Sequence, residues 1–509
     1  MNPADRPTLK TSAEGHGSPD LAAGLEARNA ATFETRNTAA LEARIVAALE
    51  ARNAATFETH NAAALDARND PTLETDNAAA LEARIVAGTA TIAVLGLGYV
   101  GLPLALAYAR RGFAVRGLDL DAAKIAALAA GRSYLRDVPA PAVQEALAAG
   151  RFLPTTEPAA LETADAVFIC VPTPFTQQKE PDVRHIAAAA AEVARRGQAG
   201  QLVVLRSTSY PGTTDEVVRP ALEGAGRVVG RDVFLAFAPE RIDPGNPRYP
   251  LEQVPVVVGG CDPLSTRLAA ALLGRLGCPV VTVSSPAAAE MAKLLENVFR
   301  NVNIALVNQV AQLCERMGLD VWEVVDAAAT KPYGFMPFRP GLVGGHCIPV
   351  DPYYLAWKAR EYDFHMDFIE LAARVNEEMP FYVVNRLLAV LHDNGANGRE
   401  RVLVLGVAFK RDVDDARYSP AVRVIELLQR RRMEVVYHDP YVPEIEVRGQ
   451  RLHSQPLSDD LVAWADCVLI LTDHSCVDYA AVVQRARLVF DVRNATAGVA
   501  RGREKIVRL

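Results

Sequence analysis

The stretch IAVLGLGYVG, residues 92–101, decides the fold of this chain. Its first four residues form an apolar run typical of a buried strand, and its glycines follow the spacing G-x-G-x-x-G. In such a turn Gly96 makes the tight bend, Gly98 admits a pyrophosphate against the backbone, and Gly101 lets the next helix pack closely on the strand. The amino end of that helix then receives the phosphate charge. The stretch therefore predicts a strand–turn–helix unit that binds a dinucleotide.

An acidic residue at the end of the next strand favours NAD over NADP. That strand is predicted over 114–118 and is followed by Asp119. An acid about 20 residues beyond the glycine turn is placed to hold the ribose 2′-hydroxyl of NAD. A glycine-rich turn in some other α/β fold is the alternative interpretation.

The rest of the pattern predicts two Rossmann-like α/β domains joined by a long central helix. Apolar runs alternate with alanine-rich helical stretches, which predicts a doubly wound parallel sheet. Pro286 then begins a helical pattern that continues to Gly318. A second strand–glycine start at 402–406 predicts the second domain. The predicted strands are 92–95, 114–118, 166–171, 202–205, 233–236 and 255–258 in the first domain, and 402–405, 434–438, 467–471 and 488–492 in the second.

Residues 25–88 repeat an eight-residue unit such as LEARNAAT or LETDNAAA. With about 3.6 residues per helical turn, a period of eight moves the large apolar residue around a helix by roughly 80° per unit. We therefore expect no stable apolar stripe, and interpret 1–88 as a low-complexity extension, disordered or loosely helical, without a catalytic role. A repeat-built binding module and a start codon assigned too far upstream are the alternatives.

At 509 residues the chain is long enough for several domains of roughly 100–200 residues each. After the extension over 1–88, the pattern divides it into a Rossmann domain over 89–285, a central helical domain with the cysteine loop over 286–395, and a C-terminal α/β domain over 396–509.

Composition and charge exclude several classes of protein. Half of the residues are hydrophobic (50%), 23% are charged, and the net charge of −7 provides no basic footprint for nucleic acid. The seven cysteines are scattered and none has C-x-x-C spacing, so neither a disulfide framework nor a zinc site is indicated. No apolar run approaches the roughly 18 residues of a membrane span. We expect a soluble cytoplasmic protein with no nucleic-acid or membrane partner.

One cysteine stands out, in the stretch GGHCIPVD at residues 344–351. Most free cysteines are buried packing residues, but the glycine pair before Cys347 and the Pro-x-Asp after it are typical of a loop at a functional site. Zinc binding through His346 and Cys347 is not favoured, because adjacent residues rarely converge on one ion. A protein that binds a hydride acceptor and presents a thiol can perform more than one oxidation.

Two pairs of polar residues are further candidates. Lys293 and Asn297 lie four residues apart in the helical pattern, where an ammonium and an amide can address the same oxygen. A solvated helix surface is the alternative. Lys410 and Arg417 flank several aspartates in the second α/β domain, and either clamp a diphosphate or form surface ion pairs.

A set of motifs follows a fixed order along the chain: G-x-G-Y-V-G at 96–101, V-P-T-P at 171–174, S-T-S-Y-P-G-T-T at 207–214, P-E-R-I-D-P-G-N at 239–246, E-x-x-K-x-x-x-N at 290–297, G-F-M-P-F at 334–338, G-G-H-C-I-P-V-D at 344–351, and F-K at 409–410 with Asp414 and Arg417. Together and in this order, these motifs resemble the UDP-glucose/GDP-mannose dehydrogenase family of nucleotide-sugar 6-dehydrogenases. The resemblance covers about 89–509, and the repeat array matches nothing in the family. Within the family, the motifs at 207–212, 241–246 and 334–338 are most similar to the UDP-N-acetylglucosamine 6-dehydrogenase branch.

The resemblance implies a four-electron oxidation of the C6 hydroxyl of a UDP-hexose to a uronic acid, for surface polysaccharide synthesis. Two NAD⁺ are consumed, and Cys347 forms a thiohemiacetal with the intermediate aldehyde and then a thioester that water hydrolyses. Lys293 and Asn297 stabilise the oxyanion, and Asp351 orients or activates the water. Thr208 and Glu240 resemble the supporting water and proton-relay residues of the family.

The resemblance also assigns the ligand-binding residues. The C-terminal domain is expected to hold the UDP-sugar, and the helix after Pro286 is expected to form the core of a homodimer or a higher homo-oligomer. No metal is implied. The residues assigned to NAD are Gly96, Gly98, Tyr99, Val100, Gly101, Asp119, Lys124, Pro172, Thr173 and Thr208. The residues assigned to the UDP-sugar are Glu240, Arg241, Lys293, Asn297, Gly344, Lys410 and Arg417.

One loop departs from the family pattern. The branch commonly reads Pro-Gly-Pro-Gly before the Gly-Gly-His-Cys motif, whereas this chain has Leu342 and Val343 after Pro340 and Gly341. Because this loop approaches the sugar, UDP-N-acetylmannosamine, UDP-glucose and GDP-mannose stay open as substrates beside UDP-N-acetylglucosamine. A single-step 3-hydroxyacid-type dehydrogenase and a catalytically silent NAD-binding scaffold are more distant alternatives.

Overall fold

In a computed structural model, the described residues are 71–176, 178–241, 253–345, 347–395 and 398–509, with side chains described from Asn77 onward. Within them Leu73–Leu509 forms one compact unit. The predicted extension up to residue 70, the motif residues after Arg241 and the side chain of His346 lie outside the described residues.

An eight-stranded sheet forms the centre of the first domain. Its strands run in the order β3-β2-β1-β4-β5-β6-β7-β8, so the chain reverses direction across the sheet between β1 and β4. That reversal creates the crevice at the carboxyl ends of the strands where doubly wound folds bind their ligands. The strands are β1 Thr91–Leu95, β2 Ala114–Leu118, β3 Phe152–Thr155, β4 Ala166–Ile169, β5 Gln201–Leu205, β6 Val233–Phe237, β7 Val256–Gly260 and β8 Val280–Thr282.

Helices cover both faces of this sheet, as parallel strands buried on both sides require. β4, β5 and β6 are buried at every residue, and two apolar clusters lie on opposite faces of the sheet. The helices of this domain are Gly101–Arg110, Ala122–Ala129, Ala140–Ala148, Arg184–Arg196, Arg219–Gly224 and Pro263–Gly274, with a π-helical turn at Thr214–Val218.

The end of the repeat array forms a helix that belongs to this domain. Pro71–Ala87 is helical, and Ala78, Leu81 and Ile85 are fully buried in the same apolar cluster as β1. Arg84 pairs with Asp165, which directly precedes β4, at 2.9 Å. Our expectation that the array up to residue 88 is disordered or loosely helical without an apolar stripe is therefore wrong for this segment. The last two repeat units already place three apolar residues on one face.

Two long helices form the central domain. Pro286–Met317 begins with the Ser285 side chain accepting a hydrogen bond from Ala288 N and ends at Gly318, which is left-handed at φ 70°. Asp367–Asp393 packs along it. Between them lie the helices Val321–Ala329 and Asp351–Ala359 and the loop that carries Cys347. We call Pro286–Met317 the central helix and Asp367–Asp393 the second long helix.

The C-terminal domain is a smaller parallel sheet in the order β10-β9-β13-β14-β15. A separate antiparallel hairpin of β11 and β12 lies beside it. The strands are β9 Arg401–Leu405, β10 Glu434–His438, β11 Glu444–Val447, β12 Gln450–His453, β13 Cys467–Ile470, β14 Val489–Asp491 and β15 Ile506–Arg508. The helices are Pro420–Arg430, Asp459–Trp464 and Tyr479–Arg485.

The predicted fold class, two Rossmann-like domains joined by a long central helix, is confirmed. The structure differs in detail, because β7 runs antiparallel to β6 in a sheet predicted to be parallel. The short strands β3, β8 and β15 and the hairpin were not predicted, since three or four residues are too few to show a period. Among the described residues, no helix is both long and apolar enough to cross a membrane.

Candidate active site

The glycine turn after β1 has the geometry that its sequence predicts. Gly96 is left-handed at φ 88°, and a Cβ there would lie 2.6 Å from the carbonyl oxygen of Cys170. A Cβ on Gly101 would lie 1.8 Å from the carbonyl oxygen of Gly96, so helix and turn meet at a distance that only glycine allows. A Cβ on Gly98, in contrast, would have no described atom within 4 Å. Gly98 therefore leaves open space at the amino end of the helix.

Asp119 lies beside this turn at the carboxyl end of β2. One of its oxygens accepts a hydrogen bond from Leu97 N at 2.9 Å and lies 3.5 Å from Lys124 Nζ. Tyr134 donates its hydroxyl to the carbonyl oxygen of Leu97 at 2.5 Å. An open glycine turn, a helix amino end and an adjacent carboxylate fit the pyrophosphate and ribose of NAD.

The loops after β4 and β5 meet at the same edge of the sheet. Ser207 donates its hydroxyl to Val171 O at 2.7 Å, which ties the half-buried Thr208 to the segment containing Pro172 and Thr173. The hydroxyl of Tyr354, from the helix after the cysteine loop, donates to Thr173 O. The structure therefore joins the NAD-assigned loops to the central domain.

Glu240 follows β6 and is paired with an arginine that the sequence analysis missed. Arg206 Nη2 lies 2.7 Å from Glu240 Oε2, and the Arg206 side chain is only 1% exposed. Arg241 instead reaches Glu296 of the central helix, with Nη2 to Oε1 at 2.7 Å. The only sequence signal for Arg206 was a charged residue directly after a wholly apolar strand segment.

Lys293, Asn297 and Asp351 come together at the central helix. Asn297 donates its amide to Asp351 Oδ2 at 2.6 Å, and Asp351 is 4% exposed. Burial raises the pKa of Asp351 to about 6, while the Lys293 ammonium and the Asn297 amide act to lower it. The predicted pair on one helical face is thus not a solvated surface, because both side chains address one buried carboxylate.

Cys347 lies one turn before Asp351. Its carbonyl oxygen accepts hydrogen bonds from Asp351 N at 2.8 Å and Val350 N at 3.1 Å, so the thiol-bearing residue leads directly into the helix Asp351–Ala359. Cys347 is exposed, whereas Cys170, Cys278, Cys314 and Cys467 are buried. A thiol at the surface of the cleft is accessible to a substrate, as covalent catalysis requires.

The glycine pair before Cys347 has a packing reason. A Cβ on Gly345 would lie 2.9 Å from the ring of Phe409, and one on Gly344 would lie 2.7 Å from Pro420 Cδ. Both neighbours belong to the C-terminal domain. We predicted backbone freedom at these glycines; the left-handed φ of 90° at Gly345 uses it, and the close approach of two domains adds a second requirement.

Glu290, one turn before Lys293, holds the loop that follows Thr208. Its carboxylate accepts hydrogen bonds from Gly212 N at 2.5 Å, Thr214 N at 2.9 Å and the Thr214 hydroxyl at 2.7 Å. Burial raises the pKa of Glu290 to about 7. The sequence places Glu290 in the motif E-x-x-K-x-x-x-N without indicating a role for it; in the structure it joins the central helix to the nucleotide domain.

The C-terminal domain faces the glycine turn through Arg417. The Arg417 guanidinium lies 5.1 Å from the ring centroid of Tyr99 and pairs with Asp415 at 2.8 Å. Phe175 stacks on Tyr418 with ring centroids 5.6 Å apart. These contacts place the segment that contains Lys410 and Arg417 across the cleft from the predicted NAD site.

The second α/β domain also has an acidic residue after β10, Asp439, but its carboxylate is occupied by hydrogen bonds within the domain. Asp439 is 3% exposed and accepts hydrogen bonds from Val407 N at 2.7 Å and Ala408 N at 2.9 Å. His474 Nε2 lies 3.0 Å from the same carboxylate. These bonds leave Asp439 closed to a ribose. Among the described residues, no group of three His, Cys, Asp or Glu side chains is arranged to hold a metal ion.

Three family models match the chain in succession. They describe the NAD binding domain of the UDP-glucose/GDP-mannose dehydrogenase family over residues 90–276, its central domain over 287–378, and its UDP binding domain over 403–498. The chain belongs to the UDP-glucose/GDP-mannose dehydrogenase family. It is therefore an NAD-dependent nucleotide-sugar 6-dehydrogenase, an oxidoreductase whose substrate is a UDP-sugar.

Relatives in this family differ in the sugar they are named for. The chain is 37% identical to a UDP-N-acetyl-D-glucosamine 6-dehydrogenase of Pseudomonas aeruginosa, over 69% of this chain and 83% of the relative. It is 34% identical to a UDP-N-acetyl-D-mannosamine dehydrogenase of Pyrococcus horikoshii, over 79% of this chain and 95% of the relative. A solved structure of UDP-D-ManNAc dehydrogenase from Pyrococcus horikoshii superposes with a TM-score of 0.73 at 32% identity, covering 80% of this chain and 96% of that one.

Proposed function

We propose that the enzyme oxidises C6 of UDP-N-acetylglucosamine to the carboxylate through a thioester on Cys347. The similarity to the Pseudomonas aeruginosa relative and the branch motifs at 207–212 and 334–338 support this hexose. UDP-N-acetylmannosamine is the second candidate, favoured by the similarity to the Pyrococcus horikoshii relative. The two sugars differ only in configuration at C2.

The observation that carries the mechanism is the buried bond from Asn297 to Asp351, under the charge of Lys293 and one turn from Cys347. A cation, an amide and a carboxylate are the groups needed around an acyl carbon that first gains and then loses a negative oxygen. Lys293 and Asn297 are fixed on the central helix, and Asp351 is fixed at the start of the helix Asp351–Ala359.

We assign the first oxidation to Lys293. When bound, NAD⁺ accepts a hydride from C6 in each of the two oxidations. Lys293 stabilises the C6 oxygen as the hydroxyl proton leaves and the alcohol becomes an aldehyde. The turn around Gly96 and Gly98 and the carboxylate of Asp119 hold the pyrophosphate and the ribose.

The second oxidation needs Cys347. An aldehyde is a poor hydride donor until a nucleophile adds to its carbon and makes that carbon tetrahedral. The Cys347 thiolate is proposed to add to the aldehyde, and the oxygen of the adduct then takes a proton to give a thiohemiacetal. Loss of the second hydride and of the hydroxyl proton leaves a thioester. Lys293 and Asn297 are placed to stabilise the negative oxygen of both tetrahedral species.

Asp351 completes the reaction by taking a proton from water as the water adds to the thioester. The tetrahedral adduct then expels the Cys347 thiolate, and the carboxylic acid so formed releases its proton to solvent to become the carboxylate. A pKa of about 6 suits this role, because Asp351 is then mostly ionised at neutral pH and is a stronger base than an ordinary aspartate. Glu240, held by Arg206, and Thr208 are proposed as supporting groups.

We further propose a homodimer built on the central helix, in the cytoplasm, where a reducing environment preserves the Cys347 thiol. Six large apolar residues on one face of the central helix are solvent-exposed in the single chain. A stripe of this length is unusual on a monomer. We call it the apolar stripe; it consists of Met291, Leu295, Phe299, Leu306, Leu313 and Met317.

The proposal is tested by measuring NADH and uronic acid with UDP-N-acetylglucosamine, UDP-N-acetylmannosamine, UDP-glucose, UDP-N-acetylgalactosamine and GDP-mannose. We expect two NADH for each UDP-N-acetylglucosamine consumed, and the highest kcat/KM with that sugar. The Cys347→Ser variant should form no net carboxylate, because a hydroxyl is a far weaker nucleophile than a thiolate.

The exposed Cys476 provides a matched control, and Cys476→Ser should behave like the wild type. Turnover of Cys347→Ser at the wild-type rate would rule out the covalent mechanism. A higher kcat/KM with another sugar would show that the proposed hexose is wrong, and it would not contradict the proposed mechanism.

A further inference from the structure

A row of buried asparagines runs along the central helix beneath the cysteine loop. Asn297, Asn301 and Asn308 are spaced four and seven residues apart, so they lie on one helical face. Asn301 is 2% exposed and Asn308 is 0% exposed. Burying an amide is costly unless it is hydrogen-bonded, so each of these side chains needs fixed partners.

Two of these asparagines hold backbone groups on either side of Cys347. Asn308 Oδ1 accepts a hydrogen bond from Gly341 N at 2.8 Å. Asn301 Nδ2 donates to Ile348 O at 2.9 Å. The glycine pair and the nucleophile lie between these two attachment points, so the chain on each side of them is anchored to the central helix.

A fourth asparagine, from the second long helix, links the two attachment points. Asn308 Nδ2 donates to Asn376 Oδ1 at 3.0 Å, and Asn376 Nδ2 donates to the carbonyl oxygen of Asn301 at 3.1 Å. Asn376 is 6% exposed. Asn376 therefore orients the Asn308 amide and is itself held by the main chain at Asn301, so the loss of either side chain leaves the other free to turn. The Asn301 amide is held separately, by its own bond to Ile348 O.

We propose that Asn301, Asn308 and Asn376 are positioning residues that set the place of Cys347 relative to Lys293 and Asp351. The inference rests on the proposed function of Cys347. A glycine-containing loop that bears an exposed thiol cannot hold that thiol to the tolerance that a covalent step needs by its own backbone alone. The network supplies that constraint from two rigid helices.

The proposal separates the two oxidations. The first requires Lys293 and not Cys347, whereas the second and the hydrolysis require Cys347 at a fixed position. Loosening the loop should therefore slow the second oxidation much more than the first, and the aldehyde should escape. A network that only stabilises the packing of the two long helices would instead reduce both oxidations together.

The test compares the Asn308→Ala and Asn376→Ala variants with the wild type, using an amine that traps aldehyde in the reaction mixture. We expect the ratio of trapped aldehyde to uronic acid to rise on the order of 10- to 100-fold in both variants. Asn308→Ser retains an oxygen that can accept from Gly341 N and should restore part of the wild-type ratio. Because a ratio is measured, the amount of enzyme that folds does not affect the result.

Asn394→Ala is the matched control. Asn394 lies just beyond the end of the second long helix, is exposed, and donates only a local bond to Val390 O at 2.8 Å in the described structure. It should keep the wild-type ratio. An unchanged ratio in both Asn308→Ala and Asn376→Ala would overturn the proposal. A wild-type enzyme that makes only one NADH per sugar would instead overturn the proposed function.

Discussion

Asp351 shows how a single buried carboxylate is tuned by opposing effects. Burial raises its pKa to about 6, and the nearby Lys293 charge and the bond from Asn297 limit the rise. The sequence singles out all three residues as candidates, from helical spacing and from the Pro-x-Asp after Cys347. It did not indicate that Asp351 is buried, because burial depends on how the loop folds back on the central helix.

We predict that this pKa controls the hydrolysis step. If Asp351 must be ionised to accept a proton, uronic acid formation should rise with pH through about 6 and level off above it. In Asp351→Asn the rate of uronic acid formation should fall by roughly 100-fold or more relative to the wild type, and the rise with pH around 6 should disappear. Single-turnover measurement of thioester hydrolysis between pH 5 and 8 tests this, and an unchanged rise with pH in Asp351→Asn would contradict it.

The same pKa affects stability with a defined sign. In the folded protein the pKa of Asp351 is raised above its ordinary value of 3.8, so the folded state holds this proton more tightly than the unfolded chain. The stability that this provides is present below the ordinary value and is lost as pH rises through about 6. The stability deficit of Asp351→Asn relative to the wild type should therefore narrow as pH rises from about 4 to about 6, as measured by urea unfolding at each pH.

At the scale of elements, the helix Pro71–Ala87 shows that the period of the whole repeat array does not predict how its last units fold. The array has an eight-residue period that predicts no continuous stripe, yet its last units bury Ala78, Leu81 and Ile85. Arg84 forms an ion pair with Asp165 at 2.9 Å, and Glu82 forms one with Arg267 at 3.3 Å. A short helix needs only two turns of matching residues, so periodicity over the whole array was the wrong test.

We predict that Leu81→Ala destabilises the nucleotide domain by about 2–5 kcal/mol, because it removes a fully buried side chain from the core. Val86→Ala, on the same helix but 63% exposed, should change the free energy of unfolding by less than about 0.5 kcal/mol. Urea unfolding followed by fluorescence measures both. Equal stabilities of the two variants would show that the helix does not contribute to the core in solution.

At the scale of the whole molecule, the cleft is made by contacts between domains that are distant in sequence. Gly345 packs against Phe409, Arg417 lies over Tyr99, and Glu290 holds the loop after Thr208. The three domains therefore depend on one another for the shape of the site. The apolar stripe on the central helix extends this dependence to the proposed second subunit.

We predict that Leu306→Glu, which places a charge at 56% exposure within the apolar stripe, raises the dimer dissociation constant by at least about 100-fold. Leu153→Glu is a matched control, because Leu153 is 51% exposed on β3 and lies outside the stripe. Light scattering over a range of concentrations distinguishes the two. If Leu306→Glu forms dimers with unchanged affinity, the interface lies elsewhere on the protein. If the wild type is a monomer, the proposed dimer is wrong.

The sequence by itself determined the fold class, the cofactor and the family, because these depend on local patterns: a strand and a glycine turn, an acid about 20 residues later, and motifs in a fixed order. It also singled out Lys293, Asn297, Cys347 and Asp351 as candidate site residues. Only the tertiary structure decided that the repeat helix is core and that Asp439 is closed to a ribose by its partners. It likewise revealed that Arg206 pairs with Glu240 and that an asparagine network underlies the cysteine loop. These features depend on burial and on contacts between residues far apart in the chain, which no local pattern contains.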